Sequence, residues 1–469
     1  MNVFDTIAAV STPRGKGGVA MIRISGADAI GIASNVFFPG SGKTLPEIPS
    51  NKAVYGEVRA KNAAGELCAI DDALSVVYRA PHSFTGEDTV EICCHGGILL
   101  TEKVLTACLE AGCRGAEAGE FTRRAFINGK MSLSEAEGLG NLLEAASESQ
   151  LLLSRGEMKG RLSGAIKEAY DDIAEMLASV YAGIDFPDED LKSLDEDEIL
   201  ARAGALLERL RALEGTYRAG HAVAEGISTV ICGRTNVGKS SLYNLILGRE
   251  AAIVTDRAGT TRDILEQTAH LGKVTLRLFD TAGLRETDDL VENIGIERAN
   301  EALRDAELTI AVFDVSRELS DEDLELISRL QSEKNPAEAV IAVLNKCDSA
   351  RLCDATAEKI SSSFPHCVKM SAKDGVGLSE LILEAEELYE LGGLSLGEDP
   401  IVTNARQHAS LKKAIENLSL ACEALSKALT LDICGTHLEA AMSALAQIDG
   451  REVTEEIVAQ IFAHFCVGK

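Results

Sequence analysis

GRTNVGKS, Gly233 to Ser240, follows the apolar run Thr229 to Cys232 and opens a segment with helical spacing. A glycine-rich turn between a buried strand and a helix aims several backbone N–H groups and the positive helix end at one point. That is a cradle for phosphate oxygens. Lys239 then supplies a cation to the β- and γ-phosphates, and Ser240 a hydroxyl to Mg²⁺. Three more elements follow in order, each just after a strand-like run. They are DTAG (Asp280 to Gly283), NKCD (Asn345 to Asp348) and SAK (Ser371 to Lys373). Together they imply GTP binding and hydrolysis.

The elements divide the nucleotide between them. Asn236, Val237 and Gly238 of the loop and Ser241 after Ser240 face the phosphates. The segment Ile253 to Asp263 (IVTDRAGTTRD) brings Thr255, Asp256, Arg257, Ala258, Gly259, Thr260 and Thr261 to the same place. Thr260 and Thr261 are the candidates for a second metal-facing hydroxyl, and Thr261 is assigned to Mg²⁺ with Ser240. Asp280 reaches the metal through water. Thr281 and Ala282 lead to Gly283, whose N–H meets the γ-phosphate and senses hydrolysis. Asn345, Lys346 and Asp348 form the base site, backed by Ser371, Ala372 and Lys373. Asp348 accepts from guanine N1–H and the 2-amino group, and such a site rejects a base lacking them by roughly 10⁴-fold. Ras-type proteins place a water-orienting glutamine directly after the DTAG glycine. This chain has Leu284, so either hydrolysis is negligible or another group positions the water. Arg257, Arg262 and Arg285 lie near the motifs and read as surface residues.

A chain of 469 residues has room for about three domains. No apolar run reaches the roughly 18 residues of a membrane span, and the opening MNVFDTIAAV lacks signal-peptide features. A cytoplasmic protein is expected. The 12 cysteines are scattered without a CxxC pair. That pattern suggests free thiols rather than zinc or disulfides. Cys93 and Cys94 point to opposite strand faces and read as small hydrophobes. A net charge of −28 argues against tight, indiscriminate RNA binding by the chain alone.

Residues 1–118 read as mixed α/β, with strands at Ala20 to Ser25, Leu74 to Tyr78 and Thr89 to Cys93. Residues 119–225 read as helical. Ile173, Leu177, Val180 and Ile184 share one face, as do Leu206, Leu210 and Leu213. The acidic stretch Asp185 to Glu198 separates two helices. The GTPase block spans 226–384. Residues 385–469 are helical again, with Val458, Ile461, Phe462 and Phe465 on one stripe. The economical reading is a helical domain split by an inserted Ras-like P-loop GTPase domain.

Leu284 after DTAG, Asn236 in the phosphate loop, GTTRD and the terminal FCVGK (Phe465 to Lys469) together resemble the MnmE (TrmE) family of tRNA modification GTPases. Asp5 to Gly26, His82 to Gly97 and Gly119 to Glu137 are also similar to that family. The resemblance covers the whole chain. It implies an N-terminal α/β domain that binds 5-formyl-tetrahydrofolate or a related reduced folate. The matching positions are Arg23, Glu91, Lys130 and Lys469. It implies K⁺ held by Asn236, Thr255, Arg257 (through its carbonyl) and Thr260, and Glu292 orienting the hydrolytic water. Cys466 of the terminal motif is marked as catalytic, with a covalent role left open. It further implies a homodimer acting with an FAD-dependent MnmG (GidA) protein at carbon 5 of the wobble uridine of certain tRNAs. Thr235 and Ala118 stand where the family commonly has proline.

Two other readings share the nucleotide motifs. A ribosome-assembly GTPase would append a basic RNA-binding module, and no basic module follows residue 385. A switch without further chemistry would not need Cys466 or the folate-like opening.

Overall fold

The computed structural model describes residues 5–62, 64–185, 194–249, 266–279, 306–332, 340–427 and 429–468. These fall into two compact units. One comprises residues 1–140 with 449–469, the other 141–448.

The first unit is built on strands β1 (Ile7–Val10), β2 (Val19–Ser25), β3 (Phe37–Pro39), β4 (Ala53–Lys61), β5 (Leu67–Tyr78), β6 (Thr89–His95) and β7 (Arg114–Gly115). They form one sheet in the order β3-β4-β5-β6-β2-β1-β7. Only β1 and β7 pair in parallel; the rest are antiparallel. Strand alternation sends Ile22, Ile24, Val90 and Ile92 to one face. There they pack with Ala29 and Ala33 of helix α1 (Ala29–Ala33) and Val104 and Cys108 of α2 (Ile98–Glu110). The opposite face carries Ile7 and Ala9, covered by Phe121 of α3 (Glu120–Ile127).

This unit extends past residue 118, where sequence texture placed its end. The reason is electrostatic as well as apolar. Arg124 of α3 is buried among Asp5 (2.8 Å), Glu120 (3.0 Å) and Glu87 (3.2 Å). Arg114 joins Asp5 and Glu120. A buried guanidinium is tolerable only with such partners. Helix α4 (Leu133–Glu144) follows. The segment from Asp449 onward belongs to this unit. Val458 and Phe462 of helix Glu455–Ala463 bury against Leu133 and Ala136, with Phe126, Met131 and Phe465 alongside. The expected apolar stripe is therefore present, and it packs on helix α4, within the stretch 119–225 read as helical.

In the second unit, α5 (Glu148–Met158) is capped by Ser147, and α6 (Arg161–Asp185) precedes α7 (Glu196–Gly215). Asp195 starts α7 by accepting from the Glu198 N–H while Glu198 reaches back, a capping box. Then follow α8 (Tyr217–Ala224), β8 (Ile227–Cys232), α9 (Lys239–Arg249), β9 (Glu266–Leu271), β10 (Val274–Phe279), β11 (Leu308–Asp314) and α10 (Asp321–Ser332). The unit continues through β12 (Val340–Asn345), α11 (Asp354–Ser363), β13 (His366–Met370), α12 (Leu378–Leu388), α13 (Ala405–Ser426) and α14 (Leu431–Asp449).

Its sheet runs β13-β12-β11-β8-β10-β9, and only the β9–β10 pair is antiparallel. Side chains of β11 alternate between two cores. Leu308, Ile310 and Val312 face one, and Ala311 and Phe313 face the other. The predicted stripes of α6 and α7 bury Ile173, Leu177, Leu206 and Leu210 with Leu411 and Leu418 of α13 and Leu438 of α14. Helices on both sides of the nucleotide motifs thus share a core. No helix among the described residues is long and apolar enough to cross a membrane.

Candidate functional site

The phosphate loop lies where β8 gives way to α9. Gly233 (φ 139°) and Gly238 (φ 106°) hold left-handed backbone angles that other residues reach only with strain. A Cβ on Gly238 would also run into the Asn345 amide. Asn236 adopts φ 63°, tolerable for asparagine. Lys239 Nζ donates to the carbonyls of Gly233 (2.9 Å) and Arg234 (2.6 Å), so the loop curls around its own cation. Val237 is buried, while Ser240 and Ser241 are exposed at the start of α9.

The base-side loops are tied to this one by a single side chain. Asn345, the buried last residue of β12, donates through Nδ2 to the Val237 carbonyl (2.7 Å). Its Oδ1 accepts from the Ala372 N–H (2.9 Å). Ala372 is buried, Ser371 Oγ donates to Asp374 (3.0 Å), and Lys373 is exposed. Lys346 takes φ 67° and its ammonium donates to Asp314 Oδ2 at 2.7 Å. Asp348 is exposed, with no hydrogen-bond partner among the described residues. Thus the structure gathers Asn236, Val237, Gly238, Lys239 and Ser240 with Asn345, Lys346, Asp348, Ser371 and Ala372. Thr255, Asp256, Arg257, Ala258, Gly259, Thr260, Thr261, Asp280, Thr281, Ala282, Gly283, Glu292 and Lys469 lie outside the described residues.

A second constellation sits on the α3 side of the first unit's sheet. The β2–β6 register sets Arg23 opposite Glu91. Arg23 Nε and Nη2 both reach Glu91 Oε1, at 2.9 and 2.8 Å. Tyr78 donates to Glu91 Oε2 (3.3 Å). The guanidinium lies 5.5 Å from the Phe84 ring centroid and 5.7 Å from that of Phe121. Burial, then the Glu91 charge, pushes the Tyr78 phenol up, so it remains a donor. Lys130 donates to the Pro81 carbonyl (2.9 Å), on the turn that carries Phe84 to Arg23. Cys466 is exposed, and its carbonyl accepts from the Gly119 N–H (3.4 Å). Two residues later Gly468 receives the Ser11 hydroxyl (2.9 Å). Cys94 is buried and Cys93 half-buried, and all twelve cysteines are free.

Sequence reasoning missed Tyr78, Phe84, Phe121 and Asp314. Phe84 lies inside the quoted HSFTGED stretch, and Asp314 is a carboxylate ending an apolar strand. Either signal was available.

A glycine-rich loop between β8 and α9, with both base-side loops at the ends of β12 and β13 in the same parallel run of strands, makes the second unit a P-loop nucleotide-binding fold of the GTPase class. Residues 6–130 match the family described as GTP-binding protein TrmE N-terminus, and residues 133–466 that described as MnmE helical domain. The tRNA modification GTPase MnmE of Clostridioides difficile (strain 630) is 37% identical over 471 residues, covering 100% of both chains. That of Thermoanaerobacter pseudethanolicus is 38% identical over 467 residues, also 100% of both. That of Porphyromonas gingivalis is 38% identical over 472, covering 99% of this chain and 98% of its own. The chain belongs to the MnmE family of tRNA modification GTPases.

Proposed function

We propose that GTP hydrolysis in this chain drives modification of carbon 5 of the wobble uridine of certain tRNAs. The group added is of aminomethyl type, installed with an FAD-dependent partner of the MnmG (GidA) kind. The working form is a cytoplasmic homodimer, and its helical domain is split by the GTPase domain. A reduced folate, when bound, supplies the one-carbon unit.

The observation that supports this most is the Arg23–Glu91 pair, with Tyr78, Phe84 and Phe121 around it. Its donor set suits a flat heterocycle carrying N–H groups. Glu91 offers carboxylate oxygens to an amino and ring N–H edge, and the aromatic rings offer flat apolar surface. Arg23 orients Glu91, while Lys130 and Lys469 are the cations for the ligand's own carboxylates. In the nucleotide site Ser240 and Thr261 would hold Mg²⁺. The oxygens of Asn236, Thr255, Arg257 and Thr260 would hold K⁺, hard donors suited to it. Glu292 would orient the attacking water in place of the glutamine that Leu284 displaces.

Calorimetric titration of the full chain with 5-formyl-tetrahydrofolate tests the reading. Glu91→Ala removes charge-assisted bonds worth about 1.5–3 kcal/mol, so folate affinity should fall by about tenfold or more with GTP affinity unchanged. No folate binding by the unaltered protein would refute it.

A further inference from the structure

We propose that Asp314 is a positioning residue for base recognition: it anchors Lys346 and thereby sets where Asp348 stands. The inference rests on reading Asn345 to Asp348 as the guanine loop. Asp314 ends β11, directly opposite Asn345 at the end of β12. Its side chain is only 7% exposed, yet it is fully engaged. Oδ1 accepts from the Ser316 N–H (3.0 Å) and hydroxyl (2.6 Å). Oδ2 accepts from Lys346 Nζ (2.7 Å), with Arg317 Nε 3.5 Å away.

A buried carboxylate bonded this way is rigid, and what it holds is not core. The Lys346 side chain is 38% exposed. The loop around it is also pinned. Val315 N donates to the Asn345 carbonyl (3.1 Å), Cys347 N to that of Met370 (3.1 Å), and Ser349 N to that of Lys346 (3.0 Å). The left-handed turn at Lys346 is costly for a lysine. Tethering its ammonium to Asp314 holds the turn in place. The methylene stem is then stretched across the loop as an apolar strip, and the backbone beyond it delivers Asp348 to solvent. Without Asp314 the lysine is free to swing, and the two acceptor oxygens of Asp348 lose their register on N1–H and the 2-amino group.

Competition binding of guanosine and inosine diphosphates to the full chain tests this. Inosine lacks the 2-amino group, so the affinity ratio reports on Asp348 alignment and not on general integrity. Asp314→Asn should weaken guanosine diphosphate about tenfold, the loss of one charge-assisted bond, and narrow the ratio at least about threefold. Ser316→Ala keeps the carboxylate but removes its hydroxyl anchor, so it should narrow the ratio in the same direction by about twofold. That variant decides the matter if Asp314→Asn does not fold. An unchanged ratio in the variants that fold, or equal loss for both nucleotides, overturns the proposal. Asp348→Asn, run alongside, should turn preference toward xanthosine diphosphate. Unchanged preference there would remove the base-loop reading and this proposal with it. A shift there beside wild-type ratios in the other variants would remove the positioning role alone.

Discussion

Replacing Asn345 by alanine should uncouple the phosphate loop from the base side of the site. Asn345 is 3% exposed. Its amide joins the Val237 carbonyl at 2.7 Å to the Ala372 N–H at 2.9 Å. Alanine leaves one acceptor and one donor without partners, each costing about 1–3 kcal/mol when buried. Val237 is 0% and Ala372 4% exposed, so water does not simply take the amide's place. The expected loss in unfolding free energy of the second unit is about 2–6 kcal/mol. Nucleotide affinity should fall about 30-fold, equivalent to about 2 kcal/mol, because ligand must then order two loops instead of one. Fluorescent-nucleotide titration and denaturant unfolding measure the two effects. A second substitution sharpens the test. In Gly238→Ala the new Cβ collides with Asn345 Nδ2 and expels the amide, so its cost should shrink in the Asn345→Ala background. Less than a twofold change in affinity, or strict additivity of the pair, would refute the clamp.

GTP hydrolysis should run faster in K⁺ than in Na⁺ at equal ionic strength. Glu292→Ala should slow turnover with little change in GTP affinity, and steady-state assays showing equal rates in both salts count against the ion. His221 lies between Glu225 and Glu307, each 3.3 Å away, and they push its pKa up to about 9. A raised cation is stabilising in full below its ordinary value of 6.5 and loses that contribution as pH climbs through about 9. The Glu225 contact lacks hydrogen-bond geometry, so the loss should be about 2 kcal/mol rather than the full shift. Unfolding titrations should show it in the native chain and not in His221→Gln, and equal slopes would reassign it. Cys466→Ser should remove wobble-uridine modification, measured by tRNA nucleoside analysis, while sparing GTPase activity. The backbone bond to Gly119 survives the change, and a parallel loss of both activities would mark the cysteine as structural.

The phosphate loop was legible because its geometry demands glycines at fixed places and a lysine beside them. The same holds for the base loop, whose residues end apolar strands. Amphipathic spacing in α6 and α7 identified their buried faces. Partners distant in sequence were harder to read. Arg23 and Glu91 are 68 residues apart and meet only because β2 and β6 pair in one register. Resemblance pointed to both residues, but nothing local in the chain said that they touch. Asp314 was hidden likewise, since its partner depends on how β11 aligns with β12. The stripe of Val458 and Phe462 announced a buried face without naming the surface that buries it. Arg124 reads as an ordinary helix charge until Asp5 and Glu87 arrive beside it.

That returning segment bears on the order of events during synthesis. Residues 1–140 leave the ribosome early, but the piece that covers Leu133 and Phe126 begins at Asp449. About 300 residues intervene, which at about 5–20 residues per second means roughly 15–60 s of translation. Throughout that interval the earliest-made unit has an uncovered apolar surface. The intervening unit can close its own cores first. Of the two units, the one begun first is therefore the last to become whole.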